Sequence, residues 1–130
     1  MIKIGCTAYS YRGYLNDGGM RCEDFNEEAY EIGLDDVKFP LYWLPTKDPS
    51  YLGKIKRLSL YRGFSISEDG LSTNFCSSEV SERKKAIEAV KEGLEMTCEL
   101  RDPCLRVFGG YVPEEYSSED AINWIVESIK

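Results

Sequence analysis

With 130 residues, 42% of them hydrophobic and 30% charged, the chain has the make-up of one globular domain that can bury a core of its own. Its 23 acidic residues outweigh 16 basic ones for a formal net charge of −7; with no Lys/Arg stripe to offset that balance, nucleic acid is not expected as a partner. No run approaches the ~18 apolar residues of a membrane span, and MIKIGCTAYS is too short and too polar for the apolar heart of a secretion signal, so no membrane partner and a cytoplasmic location are expected.

Ile2 to Ala8 alternates, with Ile2, Ile4 and Cys6 on one side, and predicts a strand with one apolar face. YSYRGYLNDGGM, residues 9–20, is rich in Gly, Asn and Tyr and predicts a loop. Cys22, Phe25, Ala29 and Ile32 recur at helical spacing, and Gly33 stands where a C-cap would end that helix. Asp36 to Leu41 predicts a second strand that Pro40 brings to its end. Asp48-Pro49 reads as an N-cap followed by proline in the first helical turn, opening a helix with Leu52, Ile55 and Leu58 buried.

Phe64 to Ser67 predicts a short third strand. The longest helix spans 78–101, with Val80, Ile87, Val90, Leu94 and Cys98 as its buried stripe, until Pro103 breaks it. Cys104 to Phe108 predicts a fourth strand. Ser117-x-x-Asp120 resembles a capping box for a last helix, with Ile122, Ile125, Val126 and Ile129 facing the core. Strand and helix alternate four times, which implies parallel strands joined by right-handed crossovers.

Five cysteines at 6, 22, 76, 98 and 104 form no C-x-x-C, and the chain has no histidine. No zinc pattern can be assembled from them, and free thiols in a reducing compartment are expected.

The strand faces narrow the architecture. Val37, Phe39, Phe64, Ile66, Leu105 and Val107 share the apolar side with Ile2 and Ile4, whereas Lys3, Lys38, Ser65, Ser67 and Arg106 occupy the other. A doubly wound sheet needs both faces apolar. A barrel needs only its outer face so, because all its helices lie outside. No G-x-G-x-x-G or Walker loop follows a strand. A full (β/α)8 barrel takes about 250 residues, so the expected fold is α/β: a single domain over 1–130 forming a (β/α)4 half of a TIM barrel, parallel strands with helices on one face.

Three segments, KIGCTAYSYR, FNEEAYEIGLDDVKF and LRVFGGYVPEEYSSEDAINWIVES, resemble the N-terminal half of the sugar phosphate isomerase/epimerase family, the xylose isomerase-like TIM barrels that include AP endonuclease relatives. The resemblance implies a divalent metal (Mn, Mg or Zn) held by carboxylates and a histidine on the later strands, with a carboxylate pair moving a proton between adjacent sugar carbons. Those strands lie beyond what this sequence matches, so the metal is expected only in a complete barrel. No metal ligand, cofactor or catalytic residue is assigned here. The sequence departs from the family at Lys38, where relatives commonly carry glutamate, and at Ser72-Thr73-Asn74-Phe75, where they often carry histidine.

The C-terminal ends of barrel strands form the active face. Tyr9, Trp43, Glu68, Asn74, Arg106 and Tyr111 are the substrate-binding candidates drawn from them, since aromatic rings with a few polar groups suit a sugar or sugar phosphate. Arg106, inside the fourth strand, should point into the barrel; it either holds a phosphate or carboxylate or pairs with an inward acid such as Glu68. Glu68 and Asp69 are adjacent and should point apart, so they are not a ready-made acid–base pair.

Two functions follow. The chain is the N-terminal half of a sugar (phosphate) isomerase or epimerase, inactive without a C-terminal half that supplies the metal ligands. Alternatively it is a non-catalytic half-barrel whose partner is another copy, the two closing eight strands as a homodimer. An AP-endonuclease-like role is disfavoured by the missing histidines and the −7 charge.

Overall fold

The computed structural model describes residues 2–130. Four strands, β1 (Gly5–Thr7), β2 (Asp36–Pro40), β3 (Ser65–Leu71) and β4 (Leu105–Val107), pair in chain order, every pair parallel. Five helices accompany them: α1 (Arg12–Asn16), α2 (Cys22–Glu31), α3 (Pro49–Tyr61), α4 (Val80–Leu100) and α5 (Ser118–Ile129). No helix among the described residues is long and apolar enough to cross a membrane.

The outer face of the sheet makes the core. Val37 and Phe39 of β2 are buried beneath Phe25 and Ala29 of α2 and Leu52 and Ile55 of α3, with Phe25 meeting Phe39 edge-on at 5.7 Å. Each such side chain contributes roughly 1.5–3 kcal/mol by leaving water. One polar link is embedded in this layer: the Ser59 hydroxyl donates to Asn26 Oδ1 (3.0 Å), tying α3 to α2. The caps expected at Asp48 and Ser117 form: Asp48 accepts from the Ser50 amide (2.7 Å), and Ser117 and Asp120 exchange bonds.

The inner face is polar. Asp36 accepts hydrogen bonds from Ser65 (2.9 Å) and Ser67 (2.6 Å), and Lys38, Glu68 and Arg106 stand beside them as an ion triplet.

A bulge decides which β3 side chains join that face. Val37 pairs with Ile66, but Lys38 pairs with Glu68, so Ser67 is an extra residue. Strict alternation from Ile66 would send Glu68 outward and Asp69 inward. The bulge reverses both, placing Glu68 in the interior and Asp69 in the helix layer, where it is fully buried.

Several expectations fail. β1 begins at Gly5, and Ile2 and Ile4 are 89% and 62% exposed, because the strand pairs with β2 only from Gly5 onward. The 9–20 loop is partly helical: Thr7 caps a 3₁₀ turn through the Tyr9 amide (3.3 Å) and α1 follows. β3 continues to Leu71, four residues past Ser67. Ile32 lies past the end of α2 and is exposed. On α4 the buried residues are Gly93, Met96, Thr97 and Leu100, while Val80, Leu94 and Cys98 face out. On α5, Ala121 is the buried residue and Ile122, Val126 and Ile129 form an outward stripe. On α4 the smallest residue is turned to the sheet, since close packing is set by the neighbouring strand side chains rather than by hydropathy: at Gly93 a β-carbon would meet Leu105 at 3.1 Å and Leu71 at 3.2 Å.

Candidate functional site

The C-terminal ends of the four strands surround a cavity of about 650 Å³. β1 contributes Thr7 and, just after it, Tyr9. The turn after β2 contributes Tyr42, and the loop after β3 contributes Ser72 and Thr73. β4 supplies Arg106, and the segment after it, Phe108 to Tyr111, closes the wall.

Two loops are stitched together to make that wall. The Thr73 hydroxyl donates to the Phe108 carbonyl (2.7 Å) and accepts from the Phe108 amide (3.0 Å). The Phe75 amide and the Cys76 thiol both donate to the Gly109 carbonyl (2.8 and 3.3 Å). Gly110 then turns with φ +112°, pressed so closely on Asn74 that a β-carbon would lie 1.8 Å from Asn74 Oδ1. Only glycine fits both the angle and the space.

Arg106 is the charged centre of the site. Its Nε donates to Glu68 Oε1 (2.5 Å), Glu68 Oε2 accepts from Lys38 Nζ (3.4 Å), and the guanidinium lies 4.8 Å from the centre of the Phe108 ring. Two cations share one carboxylate, so the triplet carries a net positive charge. Burial opposes ionisation of Glu68, but the hydrogen bond from Arg106 and the charges of Lys38 and Arg106 outweigh it and hold its carboxyl below the ordinary range. Burial, then neighbouring Tyr9, raises the Tyr42 hydroxyl, against the pull of Arg106. Tyr42 is therefore a neutral phenol at physiological pH.

Of the six candidates drawn from sequence, Tyr9, Arg106 and Tyr111 line the cavity, and Tyr111 is 89% exposed at its mouth. Glu68 stands behind Arg106. Trp43 lies outside the lining, its indole N–H donating to Asn16 Oδ1 (3.0 Å) and its ring 6.0 Å from Tyr9. Asn74 is spent on structure, accepting from the Cys76 amide (3.0 Å). Ser72 and Thr73, which the sequence marks only as a departure from a family histidine, also line the cavity; their place immediately after a strand's C-terminal end is the signal that points to them.

The lining does not fit a divalent metal. It offers hydroxyls, aromatic rings and a guanidinium, and both oxygens of the adjacent Glu68 are engaged by cations. Among the described residues, no three Cys, Asp or Glu side chains converge as ligands.

No family model matches this sequence, and no curated protein sequence matches it. Solved structures do. D-psicose 3-epimerase in the presence of D-fructose superposes with a TM-score of 0.80 at 16% identity, covering 98% of this chain and 46% of that one. D-psicose 3-epimerase with D-tagatose from Clostridium cellulolyticum H10 gives 0.76 at 16% identity, with the same coverages. The chain spans slightly less than half the length of these structures, and at that identity the likeness is one of fold. Parallel strands in chain order, helices outside, polar residues inside and a cavity at the C-terminal strand ends give this chain an α/β fold that matches half of a TIM-barrel epimerase.

Proposed function

We propose that this chain is the substrate-holding N-terminal half of a sugar (phosphate) epimerase- or isomerase-like barrel. The observation that carries the reading is the composition of the cavity: rings of Tyr9, Tyr42 and Phe108 to pack on sugar C–H faces, hydroxyls of Ser72 and Thr7 to meet its hydroxyls, and Arg106 to hold an anionic group. Its nearest acid, Glu68, is neutralised, so proton transfer and any metal fall to a second half of the barrel. That half, carried elsewhere on the polypeptide or on a separate one, is the required partner. The unpaired thiols at Cys6, Cys22, Cys76, Cys98 and Cys104 support a reducing, cytoplasmic setting.

The test is amide NMR with D-fructose and D-fructose 6-phosphate, together with an epimerisation assay after mixing with the C-terminal half of a D-psicose 3-epimerase and Mn²⁺. The expected result is shifts at the Ser72, Thr73, Gly109 and Gly110 amides, stronger for the phosphate and lost in Arg106→Ala. Silence at those amides in both the isolated chain and the mixture would overturn it.

The apolar surface favours a second reading, closure by another copy. A barrel helix covers the groove between its own strand and the next. β1 of a second copy, set beside β4, would bring Ile2 and Ile4 beneath the Ile122–Val126–Ile129 stripe of α5, with all five side chains now exposed. Light scattering should then report a dimer that Val126→Glu dissociates; a well-folded monomer at micromolar concentration refutes it.

A further inference from the structure

Asp69 is fully buried in the helix layer, and neither of its carboxylate oxygens has a hydrogen-bond partner among the described residues. Asp102, 9% exposed, leaves its Oδ2 equally unpartnered. The two residues are gathered by one turn: the Cys104 carbonyl accepts from the Asp69 amide (3.2 Å), and the Cys104 amide donates to Asp102 Oδ1 (3.1 Å). An ionised carboxylate stranded in an apolar interior is among the costliest groups to bury, unless it is paired or neutralised.

The surroundings supply no counter-charge. Asp36 of β2 and Glu68 of β3 act on Asp102, and the Cys104 thiol stands at the start of β4. α4 faces the pair with Thr97, whose hydroxyl is already donated to the Gly93 carbonyl (2.8 Å). Lys38 of β2 acts on Cys104 but is engaged by Glu68 on the inner face. A proton is the remaining remedy, since a carboxylic acid at Asp69 can donate to the free oxygen of Asp102.

We propose that Asp69 and Asp102 form a buried acid pair that binds one shared proton, and that this proton clamps the end of α4 and the start of β4 to β3. Burial, then the charge of Asp102, pushes Asp69 up to about 8; burial pushes Asp102 up to about 6. The pair therefore keeps its proton through neutrality and loses it in mild alkali. Two irregular backbone features bring the acids together: the Ser67 bulge turns Asp69 outward, and Arg101 adopts a left-handed conformation (φ 60°) that delivers Asp102. Because β3 and β4 also carry Glu68 and Arg106, loss of the proton loosens the cavity wall as well.

For groups whose folded pKa is raised, the stabilisation is complete below the unfolded value and disappears as pH rises through the folded values. The test is ¹³C-carboxyl NMR titration of the aspartates in the full chain, with urea midpoints measured from about pH 5 to about pH 9. Two aspartates should titrate above the ordinary range, and the midpoint should fall from the acid end of the scan, near pH 5, until about 8 and level off beyond it. Asp69→Asn, an amide that mimics the protonated acid, should lose that fall. Titration of every aspartate below about pH 5, or an unchanged fall between about pH 5 and about 8 in Asp69→Asn, overturns the proposal. If Asp69→Asn fails to fold, Asp102→Asn and the wild-type titration decide by the same criteria. A midpoint raised by Ca²⁺ or Mg²⁺ at alkaline pH in the wild type but not in the variant would also overturn it, making the pair a cation site.

Discussion

Gly110→Ala probes the wall of the cavity without touching its charged or aromatic lining. At φ +112° any residue with a β-carbon is strained, and here that carbon would also fall 1.8 Å from Asn74 Oδ1, 2.7 Å from its Cγ and 3.0 Å from its Cα. The backbone term is about 1–3 kcal/mol. Relief of the clash requires Asn74 to swing away, which adds roughly 1–3 kcal/mol of overpacking and forfeits the Asn74–Cys76 hydrogen bond, worth about 1 kcal/mol. A total of about 3–7 kcal/mol is expected, a large share of the ~5–15 kcal/mol of a typical domain. Urea denaturation followed by circular dichroism measures it, and the cycle with Asn74→Ala isolates the clash. The double variant should be about 1–2 kcal/mol more stable than the sum of the single losses implies. Strict additivity, or a Gly110→Ala loss below about 1 kcal/mol, would show that the two loops are not locked against each other.

Arg106→Ala should abolish anion-dependent binding at the cavity while changing stability by less than about 1 kcal/mol, because its side chain is 47% exposed and Lys38 still neutralises Glu68; calorimetric titration with inorganic phosphate and a melting curve check the two halves. Glu68→Gln should cost roughly 1–2 kcal/mol near pH 6 by leaving Lys38 and Arg106 face to face. Since the Glu68 carboxyl is held below its ordinary value, its stabilisation is present above the unfolded pKa and lost as pH falls through the folded one, so wild type and variant should converge in acid. Arg101→Gly should raise the melting temperature, by relieving about 1 kcal/mol of left-handed strain at φ 60°; an unchanged or lower melting temperature would show that Arg101 is not strained there.

The resemblance and the strand faces led to the right half-barrel because both rest on local, periodic signals. Val37 and Phe39 alternate with Lys38, and Asp48 and Ser117 mark helix starts that the structure contains. The site was only partly legible. Arg106 is readable as an inward charge because a single arginine interrupts an apolar strand, whereas nothing local shows that Trp43 donates to Asn16 and Asn74 accepts from Cys76, both outside the cavity lining. Helix faces are not legible where two apolar stripes compete. Hydropathy favours Leu94 and Ile122, whereas Gly93 and Ala121 face inward.

From the sequence by itself came the βα rhythm, the division into an apolar outer and a polar inner face, and the capped helix starts. Each is determined within a few residues by backbone preference and side-chain period. Only the tertiary structure decided the fate of Glu68 and Asp69. One extra residue at Ser67, unmarked in composition, reverses the count of two that every strand argument uses. It sends one acid to the cations of the cavity and the other into the dry layer beside Asp102. That outcome depends on pairing with β2 and on the turn at Arg101, 32 residues further along the chain, and no local pattern carries it.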